Sequence, residues 1–87
     1  MEKSADWFVY VLRCKDDTLY TGITDNLEKR IKLHNLGLGA KYTRGRGPVM
    51  LCYSETQPDK SAALRREYEI KQLSRNEKLK LIESQRK

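Results

Sequence analysis

The apolar residues of this chain come in short strand-like runs and in helix-spaced stripes. Residues 7–14 (Trp-Phe-Val-Tyr-Val-Leu-Arg-Cys) are rich in aromatic and β-branched residues. That composition suits a pleated surface buried on both faces better than an amphipathic helix, so the segment reads as a central strand. Lys15, Asp16 and Asp17 are turn residues, and residues 19–24 resume strand character, which predicts an antiparallel hairpin. Gly22 sits inside the second strand, where it marks either a close approach to the backbone or a bulge.

Asp25 and Glu28 have capping-box spacing and open a helix over 26–35, with Leu27 and Ile31 on its inner face. Asn35, Leu36 and Gly37 supply its stop. Residues 37–48 hold four of the five glycines, with Lys41, Tyr42, Arg44 and Arg46 among them, and predict a flexible basic loop ending at Pro48. A third strand follows over 49–54. Gln57, Pro58 and Asp59 open a second helix to about residue 73, and the Ser74/Glu77 spacing starts a third at Arg75. The predicted order is β-β-α-β-α-α, an α+β arrangement without internal repeat or linker.

At 87 residues there is room for one domain with one small core. Eighteen Lys and Arg against twelve Asp and Glu leave a net charge of +6, and its placement matters more than its size. Over 29–54 there are six basic residues (Lys29, Arg30, Lys32, Lys41, Arg44, Arg46) and no acid. Such a stretch projects a positive potential, and nucleic acid is the polyanion that rewards it, through counterion release. The alternative is a solvated basic face kept for solubility. No apolar stretch approaches the ~20 residues needed to span a bilayer, and the charged N-terminus lacks a secretory signal, so a cytoplasmic location is expected. Cys14 and Cys52 lie in apolar segments without further ligand spacing, which predicts two core thiols and no zinc site.

A few residues fit this scheme poorly. At about 100° per residue the second helix places Ala63, Leu64, Ile70 and Leu73 on one stripe, and Glu67 falls within it. A buried carboxylate needs a compensating cation, either Lys71 one turn later or a metal ion. Arg30 and His34, four apart, border the Leu27/Ile31 stripe and pair a fixed cation with a group that titrates near neutrality. Tyr10 and Tyr20 bring phenol tips to paired strands, where tyrosines are usually packing residues.

Taken together, Phe8-Val9-Tyr10, Tyr20-Thr21-Gly22, Arg30, His34 and Glu67 resemble the GIY-YIG nuclease domain over about residues 7–81. The stretches Gly39-Ala40-Lys41-Tyr42-Thr43-Arg44 and Ala62-Ala63-Leu64-Arg65-Arg66-Glu67 look most like a small stand-alone bacterial branch. That branch is described mostly by fold and is related to the catalytic subunit of a eukaryotic branched-DNA nuclease. Phe8 and Val9 stand where the family name has Gly and Ile, and Thr21 stands for Ile, all at backbone and packing positions.

The resemblance implies a three-stranded antiparallel sheet flanked by helices and a DNA phosphodiester cut that depends on a single Mg²⁺ or Mn²⁺. It makes Tyr10 and Tyr20 the motif tyrosines, Arg30 the phosphate clamp, His34 an acid-base or hydrogen-bonding neighbour, and Glu67 the protein's metal ligand. Asn76 lies in the part of the chain where some members carry an Asn near the metal. A free phenol is only about one part in a thousand ionised at pH 7, whereas imidazole starts near 6.5, so a tyrosine base has His34 as its rival. Lys29, Lys32, Lys41, Tyr42, Arg44 and Arg46 would grip the DNA backbone or an unpaired base. The alternative function is a catalytically weak nucleic-acid-binding module acting with a protein partner.

Overall fold

The computed structural model describes residues 6–40 and 43–85. Its elements are β1 (Trp7–Arg13), β2 (Leu19–Thr24), α1 (Leu27–Asn35), β3 (Met50–Gln57), α2 (Lys60–Lys71) and α3 (Arg75–Gln85), in the order the sequence predicts. The sheet order is β2-β1-β3 with both pairings antiparallel. β1 is therefore central, and Val9, Tyr10, Val11 and Leu12 are all buried. Its side chains alternate between two cores, as the pleat requires. Val9 and Val11 pack with Tyr53, Ala63, Ile70 and Ile82, whereas Tyr10 and Leu12 pack with Cys14 and Val49, beside Tyr20, Leu27 and Ile31. Cys14 and Cys52 are free thiols packed against different cores.

Gly22 stands opposite Tyr10 in the β1–β2 ladder. A Cβ there would lie 2.6 Å from the Tyr10 hydroxyl and 2.8 Å from its Cζ, so the glycine clears the space in which that ring lies. Close approach, and not a bulge, explains it; the ladder's irregularity falls between Val11 and Leu12 on the β3 side.

Several boundaries differ from the sequence reading. The α1 cap is Asn26, not Asp25: its Oδ1 accepts from the Lys29 N–H at 3.1 Å, and its own N–H donates to Thr24 Oγ1 at 3.1 Å. β3 runs to Gln57 because Glu55, Thr56 and Gln57 still pair with Val9, Phe8 and Trp7. Leu64 is 47% exposed, so the inner stripe of α2 is narrower than predicted and is carried by Ala63 and Ile70. Where it is described, the 37–48 loop is tied to the fold at several points. Thr43 is buried, the Lys15 N–H donates to the Arg46 carbonyl at 2.8 Å, and the Val49 N–H donates to Asn35 Oδ1 at 2.7 Å. α2 opens at a cap that Asp59 supplies, and the expected capping box of α3 is present. Asp59 Oδ1 accepts from Ala62 N–H at 2.8 Å, and Ser74 and Glu77 bond reciprocally at 2.8 and 3.2 Å. Among the described residues no helix is long and apolar enough to cross a membrane.

Candidate active site

The α1 face of the sheet carries a cluster of three rings. Tyr10 on β1, Tyr20 on β2 and His34 in the last turn of α1 have centroids 5.3–6.3 Å apart. His34 is only 1% exposed, so a residue expected at a cleft edge is fully enclosed. Gly39 permits this, since a Cβ on it would collide with the imidazole ring.

Both ring nitrogens of His34 are bonded, and the bonds have a direction. Thr43 Oγ1 lies 3.0 Å from the Ala40 carbonyl, which can only accept, so the hydroxyl spends its proton there. It then accepts from Nδ1–H of His34 at 2.7 Å. Burial, helped by the Arg30 charge, holds the imidazole below its ordinary 6.5, so at neutral pH it has one proton, on Nδ1. Nε2 is left as an acceptor, and the Tyr10 hydroxyl donates to it at 3.0 Å. The network thus assigns the tautomer and orders a chain from Tyr10 through His34 and Thr43 to the Ala40 backbone.

Arg30 and Glu67 both act on this cluster. Burial raises the Tyr10 phenol above its ordinary 10; Arg30 pulls it down by hydrogen bond and charge, while Tyr20 and Glu67 push it up. Burial also raises Tyr20, against the charges of Lys71 and Arg30 and with that of Glu67. The Arg30 charge therefore acts on Tyr10, Tyr20 and His34, and the Glu67 charge acts on the two phenols. Neither phenol is lowered, contrary to what a tyrosinate base would need, and the group bonded to the Tyr10 hydroxyl is His34 Nε2.

Glu67, on α2, has 18% of its side chain exposed. Lys71 Nζ stands 3.3 Å from its Oε2, so the i,i+4 pair anticipated from sequence is formed. Among the described residues no group of three or more His, Cys, Asp or Glu could hold a metal ion. One carboxylate with an oxygen to spare fits Mg²⁺ or Mn²⁺ only as a loosely held ion whose shell is completed by water and substrate phosphate, a coordination Mg²⁺ tolerates.

The remaining expected contacts are dispersed. Lys29 and Arg30 line a hollow of about 180 Å³ with Thr24, Asp25, Asn26 and Leu33. Lys32 and Arg44 are exposed, and Arg46 is paired with Asp16. Lys41 and Tyr42 lie outside the described residues, and Asn76 is exposed in the first turn of α3. Sequence reasoning gave no role to Thr43 or Gly39. Both lie in the stretch that carries the resemblance, but their bearing on His34 depends on the loop folding back over α1.

The sheet, the ring cluster and the carboxylate together define a GIY-YIG domain, and the chain belongs to that family: the GIY-YIG catalytic domain matches residues 6–80. Its relatives are small bacterial and archaeal proteins of the UPF0213 group. The one from Clostridium perfringens is 65% identical over 77 residues, covering 88% of this chain and 83% of the relative. The one from Staphylococcus haemolyticus is 58% identical over 79 residues, covering 91% and 96%. The solution NMR structure of a UPF0213 protein from Bacillus halodurans has a TM-score of 0.58 at 50% identity, covering 90% of this chain and 83% of that one. An E. faecalis protein, also solved by NMR, has a TM-score of 0.63 at 33% identity, covering 100% and 94%.

Proposed function

We propose that this chain hydrolyses phosphodiester bonds in DNA with the help of one divalent cation, Mg²⁺ or Mn²⁺, held at Glu67. The observation that carries this reading is the directed Tyr10–His34–Thr43 chain lying within reach of a guanidinium and a sheltered carboxylate. When bound, the cation supplies Lewis-acid polarisation of the phosphoryl oxygens and charge for the leaving oxygen. Arg30 meets the negative charge that grows on the phosphoryl group in the transition state. The Tyr10 oxygen takes a proton from the attacking water while its own proton passes to His34 Nε2, which becomes imidazolium. His34 is the terminal base, and Tyr10 is the relay. Thr43 holds the imidazole in the tautomer that can accept, and Tyr20 packs both rings in place.

The test is incubation with branched, nicked and single-stranded DNA in Mg²⁺ or Mn²⁺. Branched DNA comes first, because of the nuclease this branch is related to and the repair substrates such an activity would serve. Cutting is expected from the native chain and not from Glu67→Ala; equal cutting by both would defeat the proposal.

A second reading has an observation of its own: Lys71 already neutralises Glu67. If that pair outcompetes the cation, the chain is a nucleic-acid-binding module that works with a partner. It would then bind DNA with a marked salt dependence and release no product at any cation concentration.

A further inference from the structure

A groove runs along the outer side of β2, and its described lining takes no residue from the basic 29–46 stretch to which the sequence directs attention. Its larger part, about 330 Å³, is lined by Leu19, Tyr20, Thr21, Lys71 and Lys78. A smaller part of about 190 Å³ is lined by Thr18, Leu19, Arg75 and Lys78. Leu19 and Lys78 border both, so the two parts lie end to end. Three elements build the groove: the edge strand β2, the last turn of α2 and the first turn of α3. The reciprocal Ser74/Glu77 cap fixes where α3 starts and so where Lys78 stands.

We propose that this groove seats a single strand of nucleic acid next to the scissile phosphate, one nucleotide lying against Leu19 and Tyr20 and the next phosphate between Lys78 and Arg75. The proposal rests on the nuclease reading above and deepens it by giving the strand a path. The three cations differ in how they are compensated. Lys71 pairs with Glu67, and Arg75 pairs with the exposed Asp17 at 3.3 Å. Lys78, half-buried between the two parts of the groove, has no carboxylate partner among the described residues. A sheltered ammonium beside two further cations is relieved by an incoming anion.

The size and floor of the groove argue for a strand. The larger part lies at the lower end of the roughly 300–1,000 Å³ range of small-molecule sites, enough for one nucleotide unit and too little for a duplex. The Leu19 side chain and Tyr20 ring offer apolar contact to a base or sugar, with cations at the rim for the backbone, the usual division of labour in single-strand sites. Tyr20 and Lys71 are shared with the catalytic cluster, since the Lys71 charge acts on the Tyr20 phenol. A strand in the groove therefore leads directly to the reacting centre.

The experiment is a titration of the ¹⁵N-labelled chain with the oligonucleotide (dT)6 in EDTA, so that nothing is cut, with affinity measured at several salt concentrations. Amide shifts are expected at Leu19, Tyr20, Thr21 and Lys78. Lys78→Gln and Arg75→Gln should each weaken binding several-fold and lower the slope of log K against log salt by about 0.7, the value for one cation on a single strand. Lys60→Gln is the control: Lys60 lies over Trp7, eleven residues and about 16 Å along α2 from Lys71, and its loss should change neither quantity. Binding whose shifts avoid Lys78, or whose salt slope falls equally in Lys60→Gln and Lys78→Gln, overturns the groove and leaves the nuclease reading standing. A native chain that binds no oligonucleotide also overturns the groove, while the nuclease reading is decided separately, by cleavage of branched DNA with the cation present.

Discussion

Glu55 on β3 and Glu67 on α2 are almost equally sheltered, with 19% and 18% of their side chains exposed, but their partners differ in kind. Glu55 accepts from Tyr53 Oη at 2.5 Å, Gln57 Nε2 at 2.7 Å and Arg66 Nε at 2.9 Å. Those hydrogen bonds hold its carboxyl below the ordinary carboxylate range against the opposing effect of burial, and Arg66 is raised in return. Glu67 has one ammonium at 3.3 Å on one oxygen. A carboxylate saturated by rigid donors from its own strand and a neighbouring helix is a strut. One held by a single flexible lysine keeps lone pairs for something else. Burial alone does not separate the two; the donor count does.

The contrast can be tested from both sides. Glu67→Gln is expected to cost the most, about 10³-fold in cleavage rate or roughly 4 kcal/mol of transition-state stabilisation, while the melting temperature stays near that of the native chain. A large fall in melting temperature would make Glu67 a strut as well. Glu55→Gln should do the reverse. Loss of the charge from the Arg66 network destabilises the fold by about 2 kcal/mol in urea titrations, with the cleavage rate of the folded fraction unchanged.

Thr43→Val comes next, at about 1 kcal/mol of stability and about tenfold in rate. It strands Nδ1–H and frees the imidazole to adopt the tautomer that cannot accept from Tyr10. Thr43→Ser should restore both quantities, whereas a purely packing role would leave Ser no better than Val.

The smallest effect is on pH dependence. His34 is the chain's one histidine and its folded value is depressed, so below about pH 6.5 the unfolded chain takes up a proton that the folded chain does not. Stability should therefore decline as pH falls from 7.5 to 5.5, and His34→Gln should flatten that slope.

How much of this could be read in advance depends on how local the cause is. The β-branched run at 7–14, the Asp59 cap and the Ser74/Glu77 box are local, and the elements they predict are present. The α1 cap moved by one residue because Thr24, which capping spacing does not include, captures the Asn26 N–H. Gly22 signalled a close approach or a bulge, and the choice between them, like the partner Tyr10, depends on strand register. Glu67 was visible as an acid in an apolar stripe. Glu55 was not, because its donors come from alternate residues of a strand longer than its hydrophobic pattern and from a helix eleven residues on. Thr43 was hidden for the same reason, since nothing in a glycine-rich basic loop indicates that one hydroxyl returns to a histidine nine residues back.

That return also sets a ruler. Gly39 covers the imidazole and Thr43 bonds its Nδ1, so the loop touches His34 at two points with three residues between them. A residue inserted or deleted within that interval could satisfy one contact only at the expense of the other. The loop's length there is therefore locked to the orientation of a single ring, and any variation in length has to be absorbed elsewhere along the connection between α1 and β3.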